Sequence, residues 1–476
     1  MSAKLFTFTI HKRRTFFYFM LFLIHFTIRL LFWFFSFSSF IGWGIYDIQT
    51  YIDASKSYAQ GLIKLDLEKF GVNCEHPPLA KLILGLGIYS LSPLLGDFKA
   101  AMMILCVVSS LTAVLVYLIG ASLSGERAGL IAWSLLTFDP YVIHWTVAWL
   151  DIFVNMFMTA SVFFMVKGGM TVYKRWILAG LFGGLSTLSK YIAVPYFFLL
   201  SILLSKRLKL MILSMVICAV VHVCLNVHLW MPQTLANAMS LNVKMNLGIP
   251  AILYGPIRIG RPLTYPWYIL TYLGVGYTGL GVGPYIIPLI TLFAVCYRVI
   301  SRKMLVSKEM IWCFAWTAAA ITPLIFLPRH YWISLGEFPG IRVEEGVALV
   351  KTFYPYYHII TAPPLGVLAA ILMAGGNRSE VIRQVFWKFL ILLSYLSVLT
   401  FITLSPIAFA SNIIFPFWDF LFTLIINIGK NTILSGLGIW SFIICLLMML
   451  LDTSAVLYMI KRIWREISLE AKVDVR

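Results

Sequence analysis

Stretches of about twenty apolar residues, the length that crosses the hydrocarbon core of a bilayer as a helix, recur along this whole sequence. The first runs from Thr15 to Gly42 and the last from Leu434 to Ile460. Inside hydrocarbon the backbone must satisfy its own hydrogen bonds, so runs of this length fold as helices packed in a bundle. Composition agrees: with 61% hydrophobic and 12% charged residues, a soluble globule of 476 residues could not coat itself with polar surface. The fold class read here is an all-α polytopic membrane protein in one domain, residues 1–476.

The net charge of +18 does not point to nucleic acid, because the basic residues stand in short clusters between apolar runs. That is the pattern of the positive-inside rule. Candidate spans are Thr15–Gly42, Lys99–Gly120, Ala128–Trp149, Ile152–Met170, Trp176–Lys190, Tyr191–Leu204, Leu208–His228, Trp267–Cys296, Met310–Leu327, Thr352–Ala374, Val385–Ala410 and Leu434–Ile460. These make about 12 transmembrane helices. The N-terminal run reads as a retained signal anchor, lacking a small-residue cleavage site. With the N-terminus in the cytoplasm, the clusters Lys174-Arg175, Lys206-Arg207-Leu208-Lys209, Arg302-Lys303 and Lys461-Arg462 all fall inside.

Two segments strain the scheme. Leu79 to Gly96 is apolar but short and carries Pro93, so it is read as a helix at the outer interface. Trp176 to Leu204 is broken by Gly183-Gly184, Lys190 and Pro195, and is read as two short helices, since a single span would invert the downstream charges. The outward surface then holds a first loop over 43–98 and further loops over 230–266, 328–351 and 411–433. The catalytic part is expected in 1–230 and a more variable part in 231–476.

The first loop carries the chemistry. Asp47 follows the first span directly, with Tyr51 one helical turn on; then comes Glu75-His76-Pro77-Pro78-Leu79-Ala80-Lys81. The paired prolines open the interfacial helix, and Lys81 emerges one turn later near the headgroups. Asp151 opens the fourth span and by parity shares the outer face with Asp47. Each aspartate alone reads as a helix cap; two acids at one interface, beside Lys81 and His76, point to a site. Lys190 stands between the two short helices, where it either snorkels outward or meets a lipid phosphate. Arg29 lies within the first span with no evident acidic partner. Of seven cysteines only Cys74 lies in a loop, and no zinc spacing occurs, so no metal or cofactor is expected.

This arrangement, with Leu150-Asp151 and Leu185-Ser186-Thr187-Leu188-Ser189-Lys190-Tyr191 after it, resembles the GT-C membrane glycosyltransferases. Within them it is most similar to the dolichyl-phosphate-mannose protein mannosyltransferases and the lipid A aminoarabinose transferases. The resemblance covers about the first 200 residues and thins to Tyr265-Pro266-Trp267 and Phe353-Tyr354-Pro355-Tyr356-Tyr357 beyond. It implies a GT-C fold whose outward first loop carries interfacial helices, with Asp47 as catalytic base or acceptor-binding acid. Two departures stand out. Ile48 replaces the glutamate that follows the aspartate in mannosyltransferases, and Lys99 stands where they resemble an arginine on the lipid phosphate, which keeps the charge but loses the bidentate fork.

The implied reaction moves a sugar, mannose or another hexose, from a polyprenyl or dolichyl phosphate to a hydroxyl of a protein, glycan or lipid, inverting the anomeric centre. Polyprenyl phosphate is already a good leaving group. The site therefore needs a carboxylate to take the acceptor's proton, and cations on the departing phosphate. Asp47 and Asp151 are the catalytic candidates; Glu75, His76, Lys81, Lys99, Tyr51 and Lys190 are the substrate-binding ones. The partners expected are the donor lipid, the acceptor and membrane lipid, without nucleic acid. The location expected is the cell membrane, or the endoplasmic reticulum in a eukaryote. A multi-pass transporter is the alternative; it favours inverted repeats and midplane charges, and no repeat is seen here.

Overall fold

The computed structural model describes residues 2–36, 45–74, 76–147, 149–205, 207–237, 286–300, 307–326 and 359–374. Candidate spans 385–410 and 434–460, the outward loops 328–351 and 411–433, and Glu75 lie outside the described residues. Among the described residues there is helix and no strand. The helices are α1 (Ser2–Ser36), α2 (Ile45–Lys64), α3 (Leu79–Leu95), α4 (Asp97–Ser124), α5 (Glu126–Phe138), α6 (Pro140–His144), α7 (Trp149–Val166), α8 (Val172–Thr187), α9 (Ala193–Leu204), α10 (Leu208–Leu225), α11 (Ile286–Ile300), α12 (Lys308–Phe326) and α13 (Ala362–Ala374). Three of them, α1 through its segment Arg14–Leu31, α4 and α10, are long and apolar enough to cross a membrane on their own. The protein is an integral membrane bundle.

α4 is its hub, packed against α1, α3, α5, α7 and α13. Its 28 residues rise about 42 Å, more than the ~30 Å of a hydrocarbon core, so one end stands clear of it. α3 folds back along that first part of α4 through a one-residue turn at Gly96, whose φ of 76° suits glycine. Gly87 is bare against Ile104 there. On its other side α3 meets α2 at Gly85, where a Cβ would lie 1.9 Å from the Ser55 carbonyl oxygen. Only glycine lets these two backbones approach so closely.

The register of α7 to α10 follows from paired contacts. Ser161 Oγ donates to the Ala179 carbonyl and Ser186 Oγ to the Val154 carbonyl, so α7 and α8 run antiparallel. Gly180 lies against Ser214, and Gly184 against Cys218 and Val221, so α8 and α10 run parallel. A parallel pair needs one helix between that returns the chain, and α9 is that helix. The segment 176–204 therefore forms two helices, as Lys190 and Pro195 imply, but Gly183 and Gly184 lie inside α8, bare against Phe197 and Val221, and do not break it.

The third candidate span, Ala128–Trp149, is not continuous. α5 stops at Phe138, and Asp139, whose side chain accepts from the backbone N–H of Val142 at 3.1 Å, caps the short α6. Pro140 forces the break, since its ring clashes with a preceding turn and it lacks an N–H. A helix that stops at membrane depth leaves its last carbonyls open. α1 closes them: Arg29 donates to the carbonyls of Thr137 at 2.6 Å and Leu136 at 2.7 Å. His25 sits between Thr137 Oγ1 and Ser109 Oγ, at 2.9 and 3.0 Å. So Arg29 binds the end of α5 through its carbonyls, with the buried carboxylate of Asp139 near enough to act on its charge. The other oxygen of Asp139 accepts from the Ile287 N–H at 2.9 Å and anchors α11. Asn155 ties α7 to the Ile359 carbonyl at 2.8 Å, and Trp316 ties α12 to the Tyr196 hydroxyl at 2.8 Å. The later helices are thus fastened to the N-terminal ones by hydrogen bonds that hydrocarbon makes costly to lose.

Candidate active site

Three chain breaks meet at one place: the first loop ahead of α3, the link between α8 and α9, and the start of α7. Pro77 and Pro78 have no N–H, so the first donor of the new helix is Leu79, which donates to the Leu188 carbonyl at 3.0 Å. Leu188 lies where α8 ends, and that bond locks the proline loop to the turn presenting Lys190.

Lys190 and Asp151 form an ion pair of 2.7 Å, both side chains buried. Removing two charges from water is costly unless each supports the other, so the pair is a fixed structural unit. His222, from α10, accepts from or donates to Thr187 Oγ1 at 2.9 Å and meets Asn226 at 3.2 Å, holding the end of α8 beside this pair.

His76 is partly buried and its ring stacks on Tyr51, centroids 6.3 Å apart and planes at 29°. Burial first, then the nearby charges of Lys190 and Lys81, hold its imidazole well below the ordinary histidine range, so it is neutral at pH 7. The first loop therefore delivers His76 beside the Lys190–Asp151 pair. Asp47 lies in the first turn of α2. In helical register it shares a face with Tyr51, Ser55 and Tyr58, at spacings of four, eight and eleven residues. Its side chain is outside the described ones.

Lys81 is fully buried. Its ammonium donates to the backbone and side-chain oxygens of Asn73, to the His76 carbonyl at 3.0 Å and to the Tyr58 hydroxyl at 3.2 Å. Three N–H donors are shared among these four oxygens. Lys99, by contrast, is exposed in the first turn of α4, near the Lys56–Asp97 ion pair of 2.6 Å. The 17 residues of α3 rise about 25 Å, so Lys81 and Lys99 stand at opposite ends of that helix. The structure brings together Tyr51, His76, Lys81, Asp151 and Lys190, and sets Lys99 apart. Sequence reading named none of Tyr58, Asn73 and His228, which surround Lys81, as a site residue; the signal for Tyr58 is its eleven-residue spacing from Asp47. Among the described residues no cluster of histidine, cysteine or carboxylate side chains could hold a metal ion.

Over the described residues the chain is thus a helical membrane bundle whose loop-borne polar site lies where three helix breaks meet. Residues 75–231 match the family described as dolichyl-phosphate-mannose-protein mannosyltransferase. ArnT from Cupriavidus metallidurans bound to undecaprenyl phosphate shares the fold, with a TM-score of 0.51 at 13% identity over 80% of this chain and 70% of that one. ArnT from the same organism in the apo state aligns with a TM-score of 0.47 at 12% identity over 75% of this chain and 66% of that one. The chain thus spans about two thirds of the length of these proteins. No curated protein sequence matches it. The chain therefore shares the GT-C fold, and its residues 75–231 are similar to the protein mannosyltransferases.

Proposed function

We propose that this protein transfers a hexose from a polyprenyl-phosphate donor to an acceptor hydroxyl of a protein, glycan or lipid on the outer face of the membrane, with inversion. The observation that carries the reading is the convergence of His76 with the buried Lys190–Asp151 pair at the first-loop site. The family match over 75–231 supports it, as does the fold shared with a protein that binds undecaprenyl phosphate.

In this reading the acceptor oxygen attacks the anomeric carbon while the carbon–oxygen bond to phosphate breaks. The acceptor's proton goes to Asp47, and the electron pair of the broken bond leaves on the lipid phosphate. His76 donates an N–H to the phosphate and Lys190 supplies positive charge nearby, stabilisation that grows as the leaving group gathers charge. Asp151 orients Lys190 rather than taking the proton, because its carboxylate is already committed to that ion pair. Lys81 and Lys99 are left off the phosphate: the donors of one are engaged by the first loop, and the other stands at the far end of α3. Incubating the purified protein with a panel of polyprenyl-phosphate sugars is the test. Transfer of any one sugar is expected; absence of transfer, together with no binding of the lipid phosphate itself, overturns the reading.

A further inference from the structure

The surroundings of Lys81 contain two side chains that no motif marks. Tyr58, from α2, is buried with its ring under the ammonium, 4.8 Å from nitrogen to centroid. Its hydroxyl accepts from Lys81 at 3.2 Å and reaches Nε2 of the buried His228 at 2.9 Å. Burial keeps the phenol protonated, and it can donate to His228 in the tautomer whose Nε2 is free. His228 lies in the single turn Val227–Trp230 after α10, where the Asn226 side chain accepts from its backbone N–H at 3.3 Å. One hydrogen-bonded line thus runs from the end of α10, through α2, to the ammonium that gathers the loop oxygens of Asn73 and His76.

Those oxygens need gathering. Asn73 has a φ of 52°, a left-handed conformation that asparagine tolerates better than most residues but that still stores strain. Its carbonyl and that of His76 turn inward together, and both accept from the Lys81 ammonium. The same helix that supplies Tyr58 supplies Tyr51, on which the His76 ring stacks. So the backbone of His76 is held by Lys81 and Tyr58, and its ring by Tyr51.

We propose that Tyr58 and His228 are positioning residues: with Lys81 they brace the first loop so that His76 faces the donor phosphate. The assignment rests on the proposed donor chemistry. Tyr58→Phe removes one hydroxyl, keeps the ring on Phe70 and the ammonium, and touches no group placed on substrate. It should weaken binding of undecaprenyl phosphate by about tenfold, the usual size of one lost buried hydrogen bond, and leave the acceptor KM unchanged. In a His76→Ala background the same substitution should cost nothing further, because it acts through His76.

A second pair separates positioning from packing. His228→Gln keeps an acceptor for the phenol and should bind the lipid like wild type, whereas His228→Leu, of similar size, should fall with Tyr58→Phe. Measured on the full chain in detergent with undecaprenyl phosphate as probe, additive losses in the His76→Ala background overturn the assignment. So does wild-type affinity in both Tyr58→Phe and His228→Leu. Wild-type protein that binds no lipid phosphate overturns the donor reading and this assignment with it, while wild-type binding with unaffected variants overturns the assignment alone.

Discussion

At the scale of single residues, the question is which side chains act on substrate and which act on one another. Asp47 is the one acid of the first loop that the resemblance assigns to proton transfer, and Ile48 leaves it without the neighbouring glutamate of mannosyltransferases. Asp47→Asn keeps size and hydrogen bonding but removes the base, so turnover should fall by about a hundred- to ten-thousand-fold with lipid-phosphate binding intact. Near-normal turnover in that variant would reduce Asp47 to a helix cap. His76 supplies a pH signature. Its folded pKa is depressed by burial and by Lys190 and Lys81, so the unfolded chain takes up the proton first. The stability it contributes is complete above the ordinary histidine pKa of about 6.5 and is lost as pH falls through that value towards the folded one. The melting temperature of wild type should drop on acidification below about pH 6.5, and His76→Asn should flatten that drop. The chemical identities of these residues were legible in sequence, since Pro-Pro after Glu-His and an acid at a span boundary are local signals. Their partners were not. Nothing in the spacing of Lys81 tells that its ammonium meets the Asn73 turn, because that contact depends on a loop conformation with positive φ.

At the scale of elements, sequence and structure agree where hydrophobic runs are interrupted by residues with a clear physical effect. The break between α8 and α9 was readable from Lys190 and Pro195, while Gly183 and Gly184 lie inside α8 and let it pack closely, Gly184 against the parallel α10. The break at Asp139-Pro140 was readable in principle, since proline inside a helix ends it, but the apolar run continues through it and hid the stop. What makes the stop tolerable comes from elsewhere: Arg29 and His25 on α1 bind the end of α5, an arrangement fixed by packing rather than by local sequence. The close pairing of α2 and α3 is equally non-local. It places Tyr58 on Lys81 and depends on the missing side chain at Gly85. Gly85→Ala should force those helices apart, lowering stability by roughly 1–3 kcal/mol as overpacking does. It should also weaken lipid-phosphate binding through the displaced loop. Thermal unfolding in detergent, followed beside a binding titration, checks both; an unchanged melting temperature would mean that α2 and α3 pack more loosely than their backbones indicate.

At the scale of the whole molecule, the remaining expectation is orientation. The bundle itself fixes which residues must share a side. The first loop, Asp151 and Lys190 are joined through Leu79 to Leu188 and through the 2.7 Å ion pair, so they lie at one end of the bundle. Lys174 and Lys209, both exposed, begin α8 and α10, which run parallel, so they share the other end. The 16 residues of α8 rise about 24 Å between these ends, close to the depth of a hydrocarbon core. Lys174 and Lys209 belong to basic clusters, and such clusters stay on the cytoplasmic side. On that rule the site is expected to face outward. Single cysteines introduced at Lys174, Lys209 and Glu68 in intact cells or sealed vesicles test this directly with a membrane-impermeant maleimide. Glu68 is exposed in the first loop and should react from outside, whereas the two lysine positions should react only after permeabilisation. Reaction of all three from one side would break the bundle geometry itself. Reaction of the lysine positions from outside, with Glu68 protected, would keep that geometry but invert it. The sugar donor would then have to be sought on the cytoplasmic leaflet.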